Sequence, residues 1–258
     1  SKTMLVPVNS SSGISGALGS YSGLAGLAGI SLPSGGDEGN SAKAIQKISS
    51  LSFFENNILP NIHLPDLMAV KSWNSKTNIV VFDESIYDTS SNSWIRDSSY
   101  PQQQIPSSQA SYAVFKQHLS LNDDKNSGFI TLSIKHQSPF VAKQWVELVV
   151  NEVNAFYRQK DKSESEKAVS YLNQQISTTG LSEIKQVIAQ LLQEETKKLT
   201  LIEANQYYVF DYIDPPAVME QKSEPRRSLI CILSALLGGM LSILFVLIRY
   251  YAFSEKSS

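Results

Sequence analysis

Apolar residues along the chain switch between alternating, helical and continuous patterns, and each switch marks an element. Residues 3–8, TMLVPV, read as a short strand. Ala44, Ile45, Ile48, Leu51 and Phe54 recur at helical spacing and predict a helix over 40–58, with Ser41 as its N-cap. Residues 59–108 are rich in Pro, Ser and Asn and carry Trp73 and Trp94. They read as a long irregular connection with short strands, such as NIVVF at 78–82. A second helix follows over 109–118. HLSLNDDKNSGFITLSIKH then alternates on both sides of a turn, so 118–122 and 129–136 form a hairpin.

The next element is the largest. Ser138 caps and Pro139 opens a helix without an internal breaker to about residue 177, roughly 60 Å at ~1.5 Å per residue. Its first half is expected to bury Phe140, Val141, Trp145, Leu148, Val149, Val153 and Phe156. RQKDKSESEK at 158–167 is polar on every face, which predicts that the helix leaves the core there and stands in solvent. After the turn TTG at 178–180, a return helix over 181–205 places Leu181, Ile184, Ile188, Leu191, Leu192, Leu199 and Ile202 on one stripe. Residues 138–205 therefore read as a projecting helical hairpin. YYVFDYID at 207–214 alternates as a strand that closes the sheet begun by residues 3–8.

The pattern then becomes continuous. LICILSALLGGMLSILFVLI, 229–248, holds no charge, and as a helix it spans about 30 Å, the hydrocarbon thickness of a bilayer. Its Leu, Ile, Val and Phe residues supply about −4 to −8 kcal/mol of insertion free energy. A transmembrane helix over 229–250 is the expectation, with Arg249, Tyr250, Tyr251 and Phe253 as interfacial anchors. Ser234, Gly238 and Ser242 fall at i, i+4 and i+8, with Gly239 beside them, a small-residue face suited to packing on another membrane helix. Lys222, Arg226 and Arg227 on one side against Arg249 and Lys256 on the other barely decide orientation. Taken literally, that count places residues 1–227 in the cytoplasm.

Residues 9–37 are dominated by Gly and Ser, yet GLAGLAGISLP is too apolar for a flexible linker. Leu24, Leu27 and Ile30 need cover, either from their own domain or from a neighbouring subunit or membrane surface. The glycine spacing lacks the dinucleotide pattern, and no Gly-Lys-Ser/Thr follows to make a phosphate loop. A formal net charge of −2 gives no footprint for nucleic acid. The single cysteine, Cys231, lies in the apolar run, which removes disulfides and cysteine metal sites from the rest. Asn122, Asp124 and Asn126 have the alternate spacing of a calcium loop, but Ser127 and Ser133 stand where its glycine and bidentate glutamate belong. His118 and His136 could meet across the hairpin, without a third ligand nearby in sequence. No catalytic, cofactor or metal constellation emerges, and the chain reads as a non-enzyme.

The ordered set of segments resembles the polysaccharide co-polymerase (Wzz, chain-length determinant) family of Gram-negative inner membranes. It comprises the opening strand, GLAGLAGISL, the helix ending FFENNILP, the histidine-flanked hairpin, SPFVAKQWVELVVNEVNAFYRQK, and YIDPPAVMEQKSEPRRSLI. The resemblance implies an α+β fold: a membrane-proximal periplasmic domain (1–214) with an extended helical hairpin, held between two membrane helices. A proline-containing junction (215–228) precedes the second helix, and residues 251–258 form a cytoplasmic tail. Pro215, Pro216, Pro225 and Arg226, with Arg227 beside them, match the junction, although its prolines are fewer and less evenly spaced than usual. The first membrane helix is absent from this chain. Ten residues follow Ile248, and if that end is native the resemblance is to the branch without a kinase domain.

By the same resemblance the chain regulates the length of O-antigen or a related glycan without catalysis or cofactor. Its partners would be further copies of itself in a ring, the polysaccharide polymerase and lipid-linked glycan. Leu24, Leu27 and Ile30 become oligomer contacts. The alternative is a membrane-anchored polysaccharide export adaptor, which normally shows barrel or lipoyl-like repeats beside its hairpin.

Overall fold

The structure, a computed structural model, describes residues 1–8, 38–223 and 227–254. It divides into two units, Ser1–Val218 and Met219–Ser258. In the first, β1 (Lys2–Pro7) is followed by α1 (Glu38–Ile48) and α2 (Leu51–Phe53). Next come α3 (Leu64–Met68) and four short strands, β2 (Val70–Asn74), β3 (Ile79–Phe82), β4 (Tyr87–Asp88) and β5 (Ser93–Trp94). The unit continues with α4 (Ser108–His118), β6 (Leu119–Asp123), β7 (Ile130–Ile134), α5 (Pro139–Thr178), α6 (Ser182–Ala204) and β8 (Phe210–Asp214). The arrangement is α+β, with the long helix where the sequence predicts it.

Four strands make an antiparallel sheet in the order β6-β7-β1-β8. The hairpin pairs Leu119 with Ile134 and Leu121 with Leu132. β1 lies between β7 and β8, pairing Thr3 with Leu132 and Pro7 with Phe210. Strand alternation sends Thr3, Leu5, Ile130, Leu132, Ile134 and Phe210 to one buried face. Trp145, Val146, Val149, Val150 and Val153 of α5 share their core, with Ala44 and Ile48 of α1 and Phe115 of α4, whereas Phe140, expected inside, is exposed at the start of α5. Each fully buried large side chain contributes roughly 1.5–3 kcal/mol of transfer free energy.

The helix expected over 40–58 is instead broken. α1 begins at Glu38, so Ser41 is inside it and is not its cap. Ser50 opens a new helix by accepting the amide of Phe53 on its hydroxyl at 3.2 Å. A serine in that role competes with the helical backbone pattern and ends the preceding turn. The new helix widens into a π-turn over Phe54–Ile58, then a 3-10 turn over Leu59–Asn61. Phe53, Phe54 and Ile58 are buried there, with Phe54 stacked at 5.0 Å on Phe115. Within 59–108, β2–β3 and β4–β5 are two separate two-stranded ribbons, more order than the composition suggests.

The second unit is dominated by α7 (Arg227–Ser254), a helix that contains the whole apolar run. Within it, side chains are described for residues 231–247, about 26 Å of helix and short of the ~30 Å hydrocarbon core. Among the described residues no helix is long and apolar enough to cross a membrane. Ile232, Leu236, Met240, Ile243 and Phe245 are each more than half exposed, so α7 shows apolar surface along its described length.

Candidate functional site

At the root of the helical hairpin, polar side chains of α5 bond to the chain that leads from α6 into β8. Asn154, on α5, is 6 % exposed. Its amide nitrogen donates to the Phe210 carbonyl at 2.9 Å, and its oxygen accepts the amides of Val209 at 2.7 Å and Phe210 at 2.9 Å. A side-chain amide thereby serves the edge of β8 as a neighbouring strand would. One helical turn on, the Arg158 guanidinium donates to the carbonyls of Asn205 at 2.7 Å and Gln206 at 2.6 Å. These close the C-terminus of α6, where orphan carbonyls and the negative end of the helix dipole favour a cation.

Asp161 accepts the Tyr208 hydroxyl at 2.6 Å, and Lys162 pairs with Glu203 at 2.5 Å. Burial, then the bond to the Asp161 carboxylate, pushes the Tyr208 hydroxyl far above the usual tyrosine range. The hydrogen bond to Glu203 raises Lys162, and the same bond lowers Glu203. The expectation that 158–167 stands free in solvent is therefore corrected. Three polar residues of that stretch hold α6 and the entry to β8, and Ser165 is 1 % exposed against the partner helix. Arg158, Asp161 and Lys162 bond across the hairpin, while Gln159, Lys160, Glu164, Glu166 and Lys167 are exposed as the sequence predicts.

Farther out the two helices pack on each other through Leu172 of α5 and Ile188 of α6, with Ile202 near the root. The predicted stripe on α6 is only partly covered. Leu191, Leu192 and Leu199 are half-buried, while Leu181, Ile184 and, off the stripe, Leu201 are exposed, as is Tyr171 on α5. The turn keeps Gly180 in an open setting.

The residues singled out at the junction divide. Pro215 is exposed and Pro216 buried, directly after β8 ends at Asp214. Ser1 donates its hydroxyl to the Ala217 carbonyl at 2.8 Å, and Thr3 donates to the Asp214 carbonyl at 2.5 Å. The start of β1 and the proline segment thus run side by side. Pro225 and Arg226 lie outside the described residues, as do Leu24, Leu27 and Ile30, and Arg227 is the first residue of α7. Ser234, Gly238 and Ser242 share one face of α7 by their spacing. Ser242 bonds back to the Gly239 carbonyl at 2.8 Å, and a Cβ added at Gly238 or Gly239 meets nothing within 4 Å among the described residues.

The hairpin turn uses its acids for the backbone. Asp124 accepts the Ser127 hydroxyl at 2.7 Å and the Asn126 amide at 3.0 Å, which in that order lower its pKa. His118 and His136 part company. His118 Nδ1 meets the Lys135 carbonyl at 2.7 Å, whereas the His136 ring turns to Asp66 and Ser138. Trp73 gives its indole N–H to Asn78 at 3.0 Å, and Trp94 packs on Tyr87 at 5.1 Å. Among the described residues no group of three or more His, Cys, Asp or Glu is placed to hold a metal. Sequence reasoning missed Asn154, Arg158, Asp161 and Tyr208 as a unit, and the one signal was a buried-face asparagine in an otherwise valine-rich turn.

One comparison bears on this arrangement. Residues 182–251 match the family described as GNVR, the G-rich domain on putative tyrosine kinase. This domain is found in polysaccharide co-polymerase and export-related proteins. The match begins at the first residue of α6 and passes through β8 and the prolines into α7. No curated protein matches the chain.

Proposed function

We propose that this chain is a non-catalytic regulator of polysaccharide chain length. It is anchored by α7 in the bacterial inner membrane, with the α/β unit in the periplasm. The observation that carries the reading is the GNVR match over 182–251, because it joins the return helix of the arm, the sheet strand β8 and the apolar helix in one segment. The complete run 229–250 would cross the bilayer, and its small-residue face, Ser234, Gly238, Gly239 and Ser242, would meet another membrane helix. Copies of the chain would assemble as a closed ring beside the polymerase, with O-antigen or a related lipid-linked glycan as the growing product. Half-covered leucines along α6 support lateral contacts between copies.

A second reading, a membrane-anchored export scaffold, draws on the same match, since the domain also occurs in export-related proteins. Deleting the gene and resolving the surface glycan by gel separates the two. Loss of a preferred length with surface glycan retained supports the regulator. Loss of surface glycan itself supports the exporter.

A further inference from the structure

The four-stranded sheet has two unlike ends. At one, Ser1 and Ile134 exchange backbone hydrogen bonds of 2.9 and 3.0 Å, and the Ser1 hydroxyl donates to the Ala217 carbonyl. The chain leaves for α7 from this end. α5 also starts here, just after β7 ends, and runs away from it until Asn154 meets Phe210 at the other end, where the arm begins.

The β2–β3 ribbon belongs to the first end. It is entered from α3, where the Asp66 carbonyl lies 2.8 Å from His136 Nε2. Near its tip Trp73 packs on Phe140, in the first turn of α5, with centroids 6.4 Å apart. The tip is held by its own side chains. Asn74 Oδ1 accepts the Lys76 amide at 2.9 Å, and the Trp73 indole donates to Asn78, whose φ is 54°. Trp73 pairs with Val80 and Asn74 with Ile79, so Trp73 faces Phe140 while Ile79 and Val81 lie on the opposite face. Ile79 is 59 % exposed, Val81 42 % and Phe140 44 %. Between Asp66 and Asp83 the chain carries Lys71 and Lys76, both exposed, and no acid. Asp83 offsets Lys71 in part, whereas Lys76 stands at the tip.

Resting on the reading that α7 anchors the chain in a bilayer, we propose that the β2–β3 tip docks on an anionic lipid surface. Ile79 and Val81 enter the boundary between headgroups and acyl chains. Trp73 and Phe140 lie at headgroup level, and Lys71 and Lys76 meet lipid phosphates. Exposed aliphatic side chains beside aromatic rings and lysines make up an interfacial segment. A bilayer surface offers both an apolar layer and negative charge within one side chain's reach. The ribbon also sits at the end from which the chain departs for α7. Two attachments, the ribbon and the proline segment, then fix the direction of the arm, where a single tether lets the unit tilt.

Spin labels on single cysteines test this in the full chain, reconstituted in vesicles of phosphatidylglycerol and phosphatidylcholine. The native Cys231, exposed on α7, reports whether the chain is anchored. In a Cys231→Ser background, Ile79→Cys reports the ribbon tip and Gln174→Cys the arm. Dissolved oxygen, relative to a water-soluble nickel chelate, should relax the Ile79 label several-fold more than the Gln174 label. Lys71→Glu with Lys76→Glu should return the Ile79 label to the aqueous ratio, and leave a Cys231 label in lipid. An aqueous Ile79 label beside a lipid-immersed Cys231 label overturns the docking and leaves the anchor intact. An aqueous Cys231 label overturns both. Exclusion of both reagents with mutual broadening of Ile79 labels assigns the tip to contacts between copies, and overturns the lipid contact. An Ile79 label that stays in lipid after charge reversal overturns the role given to the lysines.

Discussion

Asn154 and Phe210 exchange two hydrogen bonds, each of 2.9 Å, between a helix side chain and a strand backbone. With Val209 also bound, the amide of one residue satisfies three backbone groups at the edge of the sheet. This contact fixes where the arm stands on its base, because α5 carries Asn154 and β8 leads on to the prolines.

Replacing Asn154 with Leu leaves those buried backbone groups without partners, at about 1–3 kcal/mol for each one stranded. Urea unfolding of the Asn154→Leu chain should show a loss of about 3 kcal/mol or more, while an exposed control such as Gln174→Ala changes little. A loss below about 0.5 kcal/mol would mean that the root is held by packing alone.

Ser165 makes the opposite case. Its hydroxyl is buried and has no hydrogen-bond partner among the described residues. Ser165→Ala removes that group and improves helix propensity, so thermal unfolding should report a gain of about 1 kcal/mol.

Alkaline pH probes the root from another side. Tyr208 is raised by burial and by Asp161, and Tyr212 is pushed up to about 12 by burial, then by Glu147. Both stand above the ordinary 10.0, so the folded state holds protons that the unfolded chain releases. Their stabilisation is complete below pH 10 and is lost as pH rises through the folded values. Tyr208→Phe should flatten the fall in unfolding midpoint above about pH 10, measured by chemical denaturation across that range.

In α7 the prediction concerns partners. A Cβ added at Gly238 meets nothing within 4 Å among the described residues, so Gly238→Leu should leave folding of the α/β unit unchanged. If the small face meets another membrane helix, the same change, or Leu at both 238 and 239, should weaken chain-length control while membrane fractionation stays normal. Unaltered glycan modality with both substitutions would remove the face from the mechanism.

The sequence announces elements whose signals are local. Ser138 and Pro139 mark the start of α5, and Ser138 does accept the Val141 amide at 3.5 Å. Alternation around residues 119–134 gives the hairpin, and β8 lies within the alternating stretch 207–214 beside β1, as the pattern demands. The break at Ser50 escapes because Leu51 and Phe54 continue the helical spacing across it, while a single hydroxyl restarts the helix. The root escapes for a different reason. Arg158 and Asp161 find partners some 47 residues away, and no periodicity encodes a bond of that separation. His136 reaches 70 residues back to Asp66, so hairpin alternation could suggest only a partner across the strands.

The most direct test of the account is the glycan length distribution in a strain lacking the gene and complemented with wild type, Ser163→Ala or Ser163→Pro. Ser163 lies in the stretch of α5 that bonds to α6 and the segment entering β8. Proline there removes a helical hydrogen bond and clashes with the preceding turn, at about 3 kcal/mol or more, well beyond the core face that ends near Tyr157. Wild type and Ser163→Ala should restore a sharp modal band, and Ser163→Pro, inserted at equal level, should give a broad ladder. A deletion strain with unchanged modality, or a Ser163→Pro ladder identical to wild type, would contradict a rigid arm that sets polysaccharide length.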